Sequence, residues 1–388
     1  MSKLHSQTVA VRTGIETDPV HHAVVPPLYL SSNFAFTDYK EPGQFDYARS
    51  GNPNTKLLEE TLAGLEEGAG AVVTNCGLAA ITLVMQLLEQ DDTLVIPHDC
   101  YGGSHRLFQA LAKKGHFKLK IIDQTDFAQV EKALTAKPKM IWLETPSNPL
   151  LRIVDVKAIC TLAKANGALV AADNTFLSPL LQKPLTLGAD FVVHSCTKYI
   201  NGHSDALGGV VVCADAQHAE DLGWWSNCLG LTDCAALNNY MILRGIRTLS
   251  ARMTVHQQNA QKLVELLVAH EAVDKVFYPG LASHPGHDIA KKQQTGFGGM
   301  LSFELKGGVQ QVETVLDNVN LFSIAESLGG TESLICYPST MTHRAMDAAA
   351  QATAGIGKTL LRISAGIEYG DDLVADLRQA LNKIVNGE

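Results

Sequence analysis

Residues 169–198, LVAADNTFLSPLLQKPLTLGADFVVHSCTK, contain two short apolar runs that each end on polar residues. The runs 169–172 and 191–194 are continuous rather than alternating, which is typical of strands buried on both faces of a parallel sheet. The polar side chains that follow them are Asp173, Ser195, Thr197 and Lys198. Because the carboxyl ends of parallel strands meet at one sheet edge, where α/β proteins bind ligands, we expect these side chains to form a site.

The alternation of strands and helices continues on both sides of this stretch. Strands are predicted at 71–74, 93–96, 119–122, 140–143, 169–172, 191–194 and 210–212, and helices at 78–89, 104–114, 127–133 and 156–165. This pattern favours an α/β fold in which helices sandwich a large, mostly parallel sheet. From residue 236 a helix leads into an α+β region with strand candidates at 300–303 and 361–363.

The length of 388 residues is enough for two or three domains. Residues 1–48 contain the turn-forming pairs Pro26-Pro27 and Pro42-Gly43 and little helical periodicity, which predicts an extended N-terminal arm. We expect a larger domain over 49–248 and a smaller C-terminal α+β domain over 249–388.

Composition excludes several classes of function. The formal net charge is -9 with no long basic stripe, which argues against a nucleic-acid binder. No apolar run approaches the roughly 18–20 residues of a membrane span, and the N-terminus lacks the apolar core of a secretory signal. The eight cysteines are scattered without a C-x-x-C pair, so we expect no metal site and a cytoplasmic protein.

Two glycine-rich stretches resemble nucleotide-binding motifs only in part. Gly355-Ile-Gly-Lys-Thr359 lacks the first glycine of a phosphate loop, because Ala352 stands there, and we interpret it as a helix start. The stretch 296–299, Gly-Phe-Gly-Gly, is expected to open a strand rather than the helix of a dinucleotide fingerprint.

Four features instead lie where predicted strands end: the turn 75–78 (Asn-Cys-Gly-Leu), the stretch 101–103 (Tyr-Gly-Gly), Asp173, and Lys198 with its hydroxyl neighbours. A glycine turn that opens a helix can bind phosphate through backbone N–H groups. A tyrosine can stack on a flat ring, a buried acid needs a cation such as a protonated pyridine, and a buried lysine has a lowered pKa. Each feature alone has an ordinary structural explanation. Together they indicate a pyridoxal 5'-phosphate (PLP) site, in which the lysine forms the Schiff base.

The residues around this lysine also carry a resemblance. The run 194–202, HSCTKYING, resembles the Cys/Met-metabolism family of PLP-dependent enzymes, which has fold type I. Further matching motifs extend over essentially the whole chain: Tyr47-Ala-Arg-Ser-Gly-Asn-Pro53, Glu144-Thr-Pro-Ser-Asn-Pro149, Ser327-Leu-Gly-Gly330 and Arg362-Ile-Ser364. The resemblance implies the fold type I architecture and covalently bound PLP at Lys198.

The resemblance also implies roles for individual residues. The predicted catalytic residues are Lys198, Tyr101 and Asp173. The predicted cofactor-binding residues are Tyr47, Arg49, Gly77, Leu78, Tyr101, Asn148, Asp173, Ser195, Thr197 and Lys198. The predicted substrate-binding residues are Asp46, Arg106, Glu326, Ser327 and Arg362. Tyr47 and Arg49 would reach the cofactor of a neighbouring subunit, so a homodimer is the expected minimum active unit and a homotetramer the usual assembly.

Within the family, the stretch 97–108, with Arg106, and the stretch 325–330, with Glu326, resemble members that catalyse γ-replacement. This implies formation of L-cystathionine and succinate from O-succinyl-L-homoserine and L-cysteine, with γ-elimination as a side reaction. Ser50 stands where such members tend to have a second arginine, and Asn54 replaces a more usual threonine. The alternatives are therefore a cystathionine γ-lyase activity and an acyl-homoserine sulfhydrylase activity, and the acyl group could be succinyl, acetyl or phospho. Outside the enzymes, the alternative is a non-catalytic regulatory protein with the same PLP-enzyme fold.

Overall fold

The computed structural model describes residues 4–342, 344, 351–352 and 354–387. Its strands are β1 Gly70–Thr74, β2 Thr93–Pro97, β3 Lys118–Ile122, β4 Met140–Glu144, β5 Leu169–Asp173, β6 Phe191–Ser195, β7 Gly209–Cys213, β8 Val273–Phe277, β9 Met300–Leu305, β10 Ser323–Ile324, β11 Leu334–Cys336 and β12 Leu360–Ser364. Its α-helices are α1 Ser6–Arg12, α2 Pro53–Glu66, α3 Gly77–Val84, α4 Gly102–Lys113, α5 Phe127–Leu134, α6 Val156–Ala165, α7 Ser178–Leu181, α8 Ala216–Leu229, α9 Ala236–Ile246, α10 Leu249–Ala269, α11 His287–Gln293, α12 Val309–Asn318 and α13 Gly370–Asn386.

Seven strands form the large sheet in the order β1-β7-β6-β5-β4-β2-β3. The strands β3, β2, β4, β5 and β6 are parallel to one another, and β7 runs antiparallel to both β6 and β1. The expectation of a mostly parallel sheet is confirmed, with β7 as the exception. The register pairs Glu144 with Asp173 and Asp173 with Val193, so two acids and the end of β6 lie side by side at one sheet edge.

Helices cover both faces of this sheet because its strands are apolar on both sides. Trp142 and Phe191 belong to the core beneath α3 and α4, and Ile141 and Val170 belong to the core beneath α5 and α6. Aspartates cap two of the covering helices: Asp126 accepts from the Ala128 amide and Asp155 from the Ala158 amide. These caps satisfy backbone donors that a helix start leaves unpaired.

The second sheet has five strands in the order β10-β11-β12-β9-β8. Its core contains Leu263, Phe303, Leu361 and Leu377, which come from α10, β9, β12 and α13. The long helix α10 begins at Leu249, directly after the elements of the large sheet. The predicted division at residue 248 remains a prediction about domains.

The arm contains one feature that the sequence pattern does not predict, the helix α1, which packs on α2 through the buried Ala10. Beyond it the arm has little regular structure and is held by two asparagines at the start of α2. Asn52 donates to the Tyr29 carbonyl at 3.0 Å, and Asn54 accepts from the Tyr29 amide at 2.8 Å and donates to the Pro27 carbonyl at 2.9 Å. Asn54 therefore fixes the arm against the large domain.

Two sequence expectations need correction. The helix predicted over 78–89 ends as an α-helix at Val84 and continues as a 3-10 turn to Leu87. Gly355 and the residues up to Thr359 do not start a helix: Gly355 follows helical residues with a φ of +76° and leads into β12. In the described part of the chain, no helix is long and apolar enough to span a bilayer.

Candidate active site

A cavity of about 670 Å³ lies at the carboxyl ends of the parallel strands, between the two sheets. Most of the predicted site residues line it: Gly77, Leu78, Tyr101, Arg106, Asn148, Asp173, Ser195, Thr197, Lys198, Glu326, Ser327 and Arg362. Asp46, Tyr47 and Arg49 do not line it. Residues from the domains of both sheets therefore line one cavity.

The start of α3 forms one end of the cavity. Gly77 lies so close to β6 that a Cβ on it would be 2.8 Å from Ser195 Cβ, so a larger residue would collide with β6. The N–H groups of Gly77 and Leu78 precede the first hydrogen bonds of α3, which the Ala79 and Ala80 amides donate to the Cys76 carbonyl, and both residues line the cavity together with Ser195 and Thr197. Helix amides and hydroxyls are the donors that bind a phosphate group. This end of the cavity fits the phosphate of PLP.

Asp173 is the acid in the middle of the cavity. Its Oδ1 accepts from the Thr175 amide at 3.0 Å, and the Thr175 hydroxyl accepts in turn from the Ser195 amide at 2.9 Å. Burial raises the pKa of Asp173, and the hydrogen bonds from Thr175 and the nearby His194 oppose that shift. A carboxylate in this position is stabilised by a cation beside it. The protonated ring nitrogen of PLP supplies such a cation, so this acid also fits the cofactor.

Lys198 follows β6 and donates from Nζ to Ser327 Oγ at 2.6 Å. Burial and the positive charge of Arg362 lower the pKa of Lys198 to about 8, while Glu326 opposes the shift. An amine with this pKa is partly neutral near pH 8, which suits both nucleophilic attack and proton transfer.

Arg362 lies on β12 and is only 3% exposed. Its Nη1 donates to Asn148 Oδ1 at 2.9 Å, and its Nη2 donates to the Ser327 carbonyl at 2.7 Å. Its Nε has no hydrogen-bond partner among the residues that the structure describes. A buried guanidinium with an unpaired N–H can bind a carboxylate as a bidentate fork.

Glu144 is a site residue that is not among the predicted site residues, although it begins the motif of residues 144–149. Its two carboxyl oxygens accept from the Tyr101 amide at 2.7 Å and from the Asn148 amide at 3.3 Å. Burial, together with the charge of neighbouring Asp173, raises the pKa of Glu144 well above its usual range. The residue joins the loops that carry Tyr101 and Asn148. The signal for it was present, because Glu144 ends β4 just as Asp173 ends β5.

Tyr101 caps the start of α4 and is 45% exposed. Burial of its hydroxyl raises the pKa of Tyr101, and the charge of Arg106 opposes this shift. Tyr101 therefore stays protonated at neutral pH and is a hydrogen donor. Arg106 is exposed on α4, whereas Arg362 is buried, so the cavity has cations at its exposed and at its buried side.

The three predicted residues of the arm lie elsewhere in the single chain. Tyr47 is 50% exposed, and the guanidinium of Arg49 lies 5.7 Å from its ring centroid. Arg49 Nη1 donates to the Asn227 carbonyl at 3.3 Å, and Asp46 is exposed. Their predicted target is a neighbouring subunit, and that role stays a prediction.

Several lining residues have no counterpart in the sequence predictions: Ile81, Gln109, Thr175, Phe176, Leu207, Met341, Thr342 and Arg344. Of these, Thr175 could be anticipated from its position two residues after Asp173. The others depend on how the second sheet and the start of α4 come together, which no local pattern encodes.

The loop after Lys198 is held from behind by Arg252 of α10. Arg252 is buried and donates to the carbonyls of Tyr199 at 2.7 Å, Gly245 at 2.8 Å and Ile200 at 3.3 Å. Gly202 has a φ of +72°, and a Cβ on it would lie within 2 Å of the Arg252 guanidinium. The glycine that ends the HSCTKYING motif is therefore required both by its backbone conformation and by this arginine.

Comparison with known proteins agrees with this geometry. Residues 7–382 match the family described as "Cys/Met metabolism PLP-dependent enzyme". Cystathionine gamma-synthase of Escherichia coli (strain K12) is 52% identical over 97% of this chain and 98% of that protein. A cystathionine beta-lyase of Lactococcus lactis subsp. cremoris is 42% identical over 97% of this chain and 99% of that protein.

Solved structures show the same relationship. Cystathionine gamma synthase from Xanthomonas oryzae pv. oryzae, in complex with aminoacrylate and cysteine, superposes with a TM-score of 0.97 at 54% identity, covering 99% of each chain. The predicted fold type I architecture and PLP dependence are thereby confirmed. The chain belongs to the Cys/Met metabolism family of PLP-dependent enzymes.

Proposed function

We propose that this enzyme catalyses γ-replacement, forming L-cystathionine and succinate from O-succinyl-L-homoserine and L-cysteine. The observation that carries the proposal is the arrangement of the cavity, which combines the Lys198 amine with a buried arginine, Arg362, and a second, exposed arginine, Arg106. A donor with one carboxylate on the amino acid and another on the leaving group matches two such cations. The gamma-synthase identity of the E. coli and X. oryzae relatives supports the same reaction.

The residues present fit the cofactor. Gly77 and Leu78 amides with the hydroxyls of Ser195 and Thr197 would hold the phosphate, and Asp173 would hold the ring nitrogen in its protonated form. When bound, PLP supplies the electron sink for carbanion chemistry at the substrate. Asn148 Oδ1 accepts from Arg362, so the side-chain atom of Asn148 that would remain to donate to the cofactor is its amide nitrogen.

The protein's own residues divide the remaining work. Arg362 binds the α-carboxylate through Nε and its neighbouring amino group. Lys198, with a pKa of about 8, removes the substrate Cα proton and moves a Cβ proton, assisted by its contact with Ser327. Glu326 lies beside Lys198 and Tyr101 and stabilises the ammonium of the amino-acid substrate. The Cγ–O bond of the donor breaks with succinate taking the electron pair, and Tyr101 donates a hydrogen bond to the departing oxygen. The Cγ–S bond forms to the thiolate of cysteine, which has released its thiol proton to solvent.

A homodimer is the proposed minimum active unit, and a homotetramer the proposed assembly. Tyr47, Arg49 and Asp46 lie on an arm whose apolar side chains include Leu28, Leu30 and Phe36, all exposed in the single chain. Such an exposed apolar face is typical of a protein interface. We also propose a cytoplasmic location, supported by eight cysteines that form no disulfide in the described chain.

The test is a comparison of substrates on the purified PLP-loaded enzyme. O-succinyl-L-homoserine with cysteine should give cystathionine, and the same donor without cysteine should give slower release of 2-oxobutyrate and ammonia. Lys198→Ala should abolish both while the exposed and remote Lys118→Ala, as a matched control, should not.

Two outcomes would replace the proposal. Faster 2-oxobutyrate release from cystathionine than cystathionine formation would assign a γ-lyase. Faster turnover of the donor with sulfide than with cysteine would assign a sulfhydrylase.

A further inference from the structure

Arg344 is the third arginine that lines the cavity, and neither the sequence motifs nor the proposed mechanism uses it. We propose that Arg344 is a specificity-determining residue that binds, together with Arg106, the carboxylate of the donor's acyl group. This inference rests on the proposed function, since it names the residue that reads the leaving group. It adds a residue that follows β11 to the residues of the second sheet's domain, Glu326, Ser327 and Arg362, that already line the site.

Arg344 and Arg106 line the same cavity. The Arg344 amide donates to the Met341 carbonyl at 3.2 Å, which keeps Arg344 close to Met341 and Thr342. The Thr342 carbonyl lies 3.2 Å from the position that a Cβ on Gly102 would take, so Thr342 contacts the first turn of α4. Arg106 is four residues after Gly102 and therefore lies on the same face of that helix. These contacts bring the backbone of Arg344 to the helix that carries Arg106.

Neither guanidinium has an anionic partner in the described chain. The ion pairs found among residues 4–342, 344, 351–352 and 354–387 include neither Arg106 nor Arg344. Three acids of the described chain line the cavity. Glu144 is bound to two backbone amides, Asp173 is bound to Thr175, and Glu326 forms no ion pair with either arginine among the described residues. An anionic ligand would relieve the repulsion between two neighbouring cations.

The chemistry of the donor decides what such a pair recognises. A succinyl ester ends in a carboxylate, whereas an acetyl ester ends in a methyl group. A carboxylate accepts two parallel hydrogen bonds from one guanidinium, which an ammonium cannot reproduce. Ser50 stands where similar members tend to have a second arginine. Because this chain has no arginine at that position, the carboxylate of the acyl group must be bound by residues that line the cavity.

The experiment measures kcat/KM for cystathionine formation with succinyl, acetyl and phospho donors at fixed cysteine. Arg344→Ala should lower kcat/KM about tenfold for the succinyl donor and less than about twofold for the acetyl donor, through KM rather than kcat. With the succinyl donor, the kcat/KM of Arg344→Lys should lie between those of the wild type and Arg344→Ala. Lysine keeps the positive charge but loses the two parallel hydrogen bonds of the guanidinium. Arg378→Ala, which removes an exposed arginine of α13, is the matched control and should change neither.

A direct binding measurement separates this inference from the proposed function. Calorimetric titration of the PLP-loaded enzyme with succinate should show binding that Arg344→Ala weakens about tenfold and Arg378→Ala does not. If no donor yields cystathionine, the proposed function fails, yet the succinate titration still tests Arg344. Equal losses with the succinyl and acetyl donors, a larger loss with the phospho donor, or unchanged succinate binding would overturn the role of Arg344.

Discussion

Lys198 Nζ donates to the hydroxyl of Ser327 at 2.6 Å, and the carbonyl of the same serine accepts from Arg362 Nη2 at 2.7 Å. One residue of the second sheet's domain thus contacts both the amine and the arginine of the site. Ser327 does this with a φ of +96°, a left-handed conformation that is unfavourable for a residue with a Cβ. In this strained conformation the Ser327 hydroxyl contacts Lys198 while the Ser327 carbonyl contacts Arg362.

The first prediction separates the hydroxyl from the strain. Ser327→Ala and Ser327→Gly both remove the hydroxyl, so both should lower kcat about tenfold while PLP content, read from the absorbance of the bound cofactor, is unchanged. Only glycine relieves the backbone, so the free energy of unfolding of Ser327→Gly should exceed that of Ser327→Ala by about 1 kcal/mol in urea denaturation. Equal stability of the two variants would contradict the strain, and unchanged kcat would contradict the role of the hydroxyl.

The second prediction concerns the pH dependence of cofactor loading. The neutral amine of Lys198 is the nucleophile, so the rate of PLP incorporation into the apoenzyme should rise with pH and level off above its pKa. Because burial and Arg362 lower the pKa of Lys198 to about 8, the midpoint should lie near pH 8 rather than near 10.5.

The variant Arg362→Met tests the electrostatic part of that shift. Removing the cation removes one cause of the lowered pKa, so the midpoint should move to higher pH. Stopped-flow absorbance across pH 6.5–10 gives both midpoints. A midpoint that stays fixed in the variant would assign the whole shift to burial.

The third prediction concerns Glu144, whose carboxyl joins two loops of the site. Glu144→Ala leaves the amides of Tyr101 and Asn148 unpaired, which should cost about 2 kcal/mol or more of unfolding free energy and weaken PLP binding. Glu144→Gln should cost less, because burial and Asp173 raise the pKa of the native carboxyl, a direction that favours a neutral side chain here, and the amide oxygen can still accept from Tyr101. Equal losses in both variants, measured by denaturation of the holoenzyme, would contradict this account.

The fourth prediction concerns acid stability. His256 is fully buried, its ring contacts the Ala365 carbonyl at 2.7 Å, and burial lowers the pKa of His256 to about 4. The unfolded chain binds a proton near pH 6.5, so between about pH 6.5 and 4 it holds more protons than the folded one. The contribution of the neutral His256 to the free energy of unfolding should therefore be fully present above pH 6.5 and decrease as the pH falls toward 4.

The magnitude is testable with a substitution. The buried histidine should account for up to about 3 kcal/mol of that loss. In His256→Gln the slope of unfolding free energy against pH should decrease by close to one proton, as measured by urea denaturation at several pH values. An unchanged slope would show that His256 is not the titrating group.

Local sequence predicts a strand where the strand's burial is visible in its own residues. The strands β2, β4 and β5 are predictable to within one residue, because strands buried on both faces are continuous apolar runs. β8 is not predicted, because the exposed Asp274 and Lys275 interrupt its apolar pattern. An apolar run also does not indicate the direction of its strand, so the antiparallel orientation of β7 could not be predicted.

The same limit applies to the site. Asp173 and Lys198 could be predicted because Asp173 ends β5 and Lys198 lies three residues after β6, both at the sheet edge that faces the cavity. Glu144 ends β4 and carries the same signal, but its two contacts join loops that are distant in sequence, so its role as a link could not be predicted. Arg344 could not be predicted, because its place at the cavity depends on the packing of Thr342 on α4.

The bonds from Arg252 to the loop after Lys198 have a mechanical consequence. They anchor α10 to residues 199–200, so the second sheet is fastened to the large one directly behind the reactive amine. Moving α10 away from this loop would leave the Tyr199 and Ile200 carbonyls and a buried guanidinium without partners, which is costly. The loop beside Lys198 and the helix α10 are therefore expected to move as one unit.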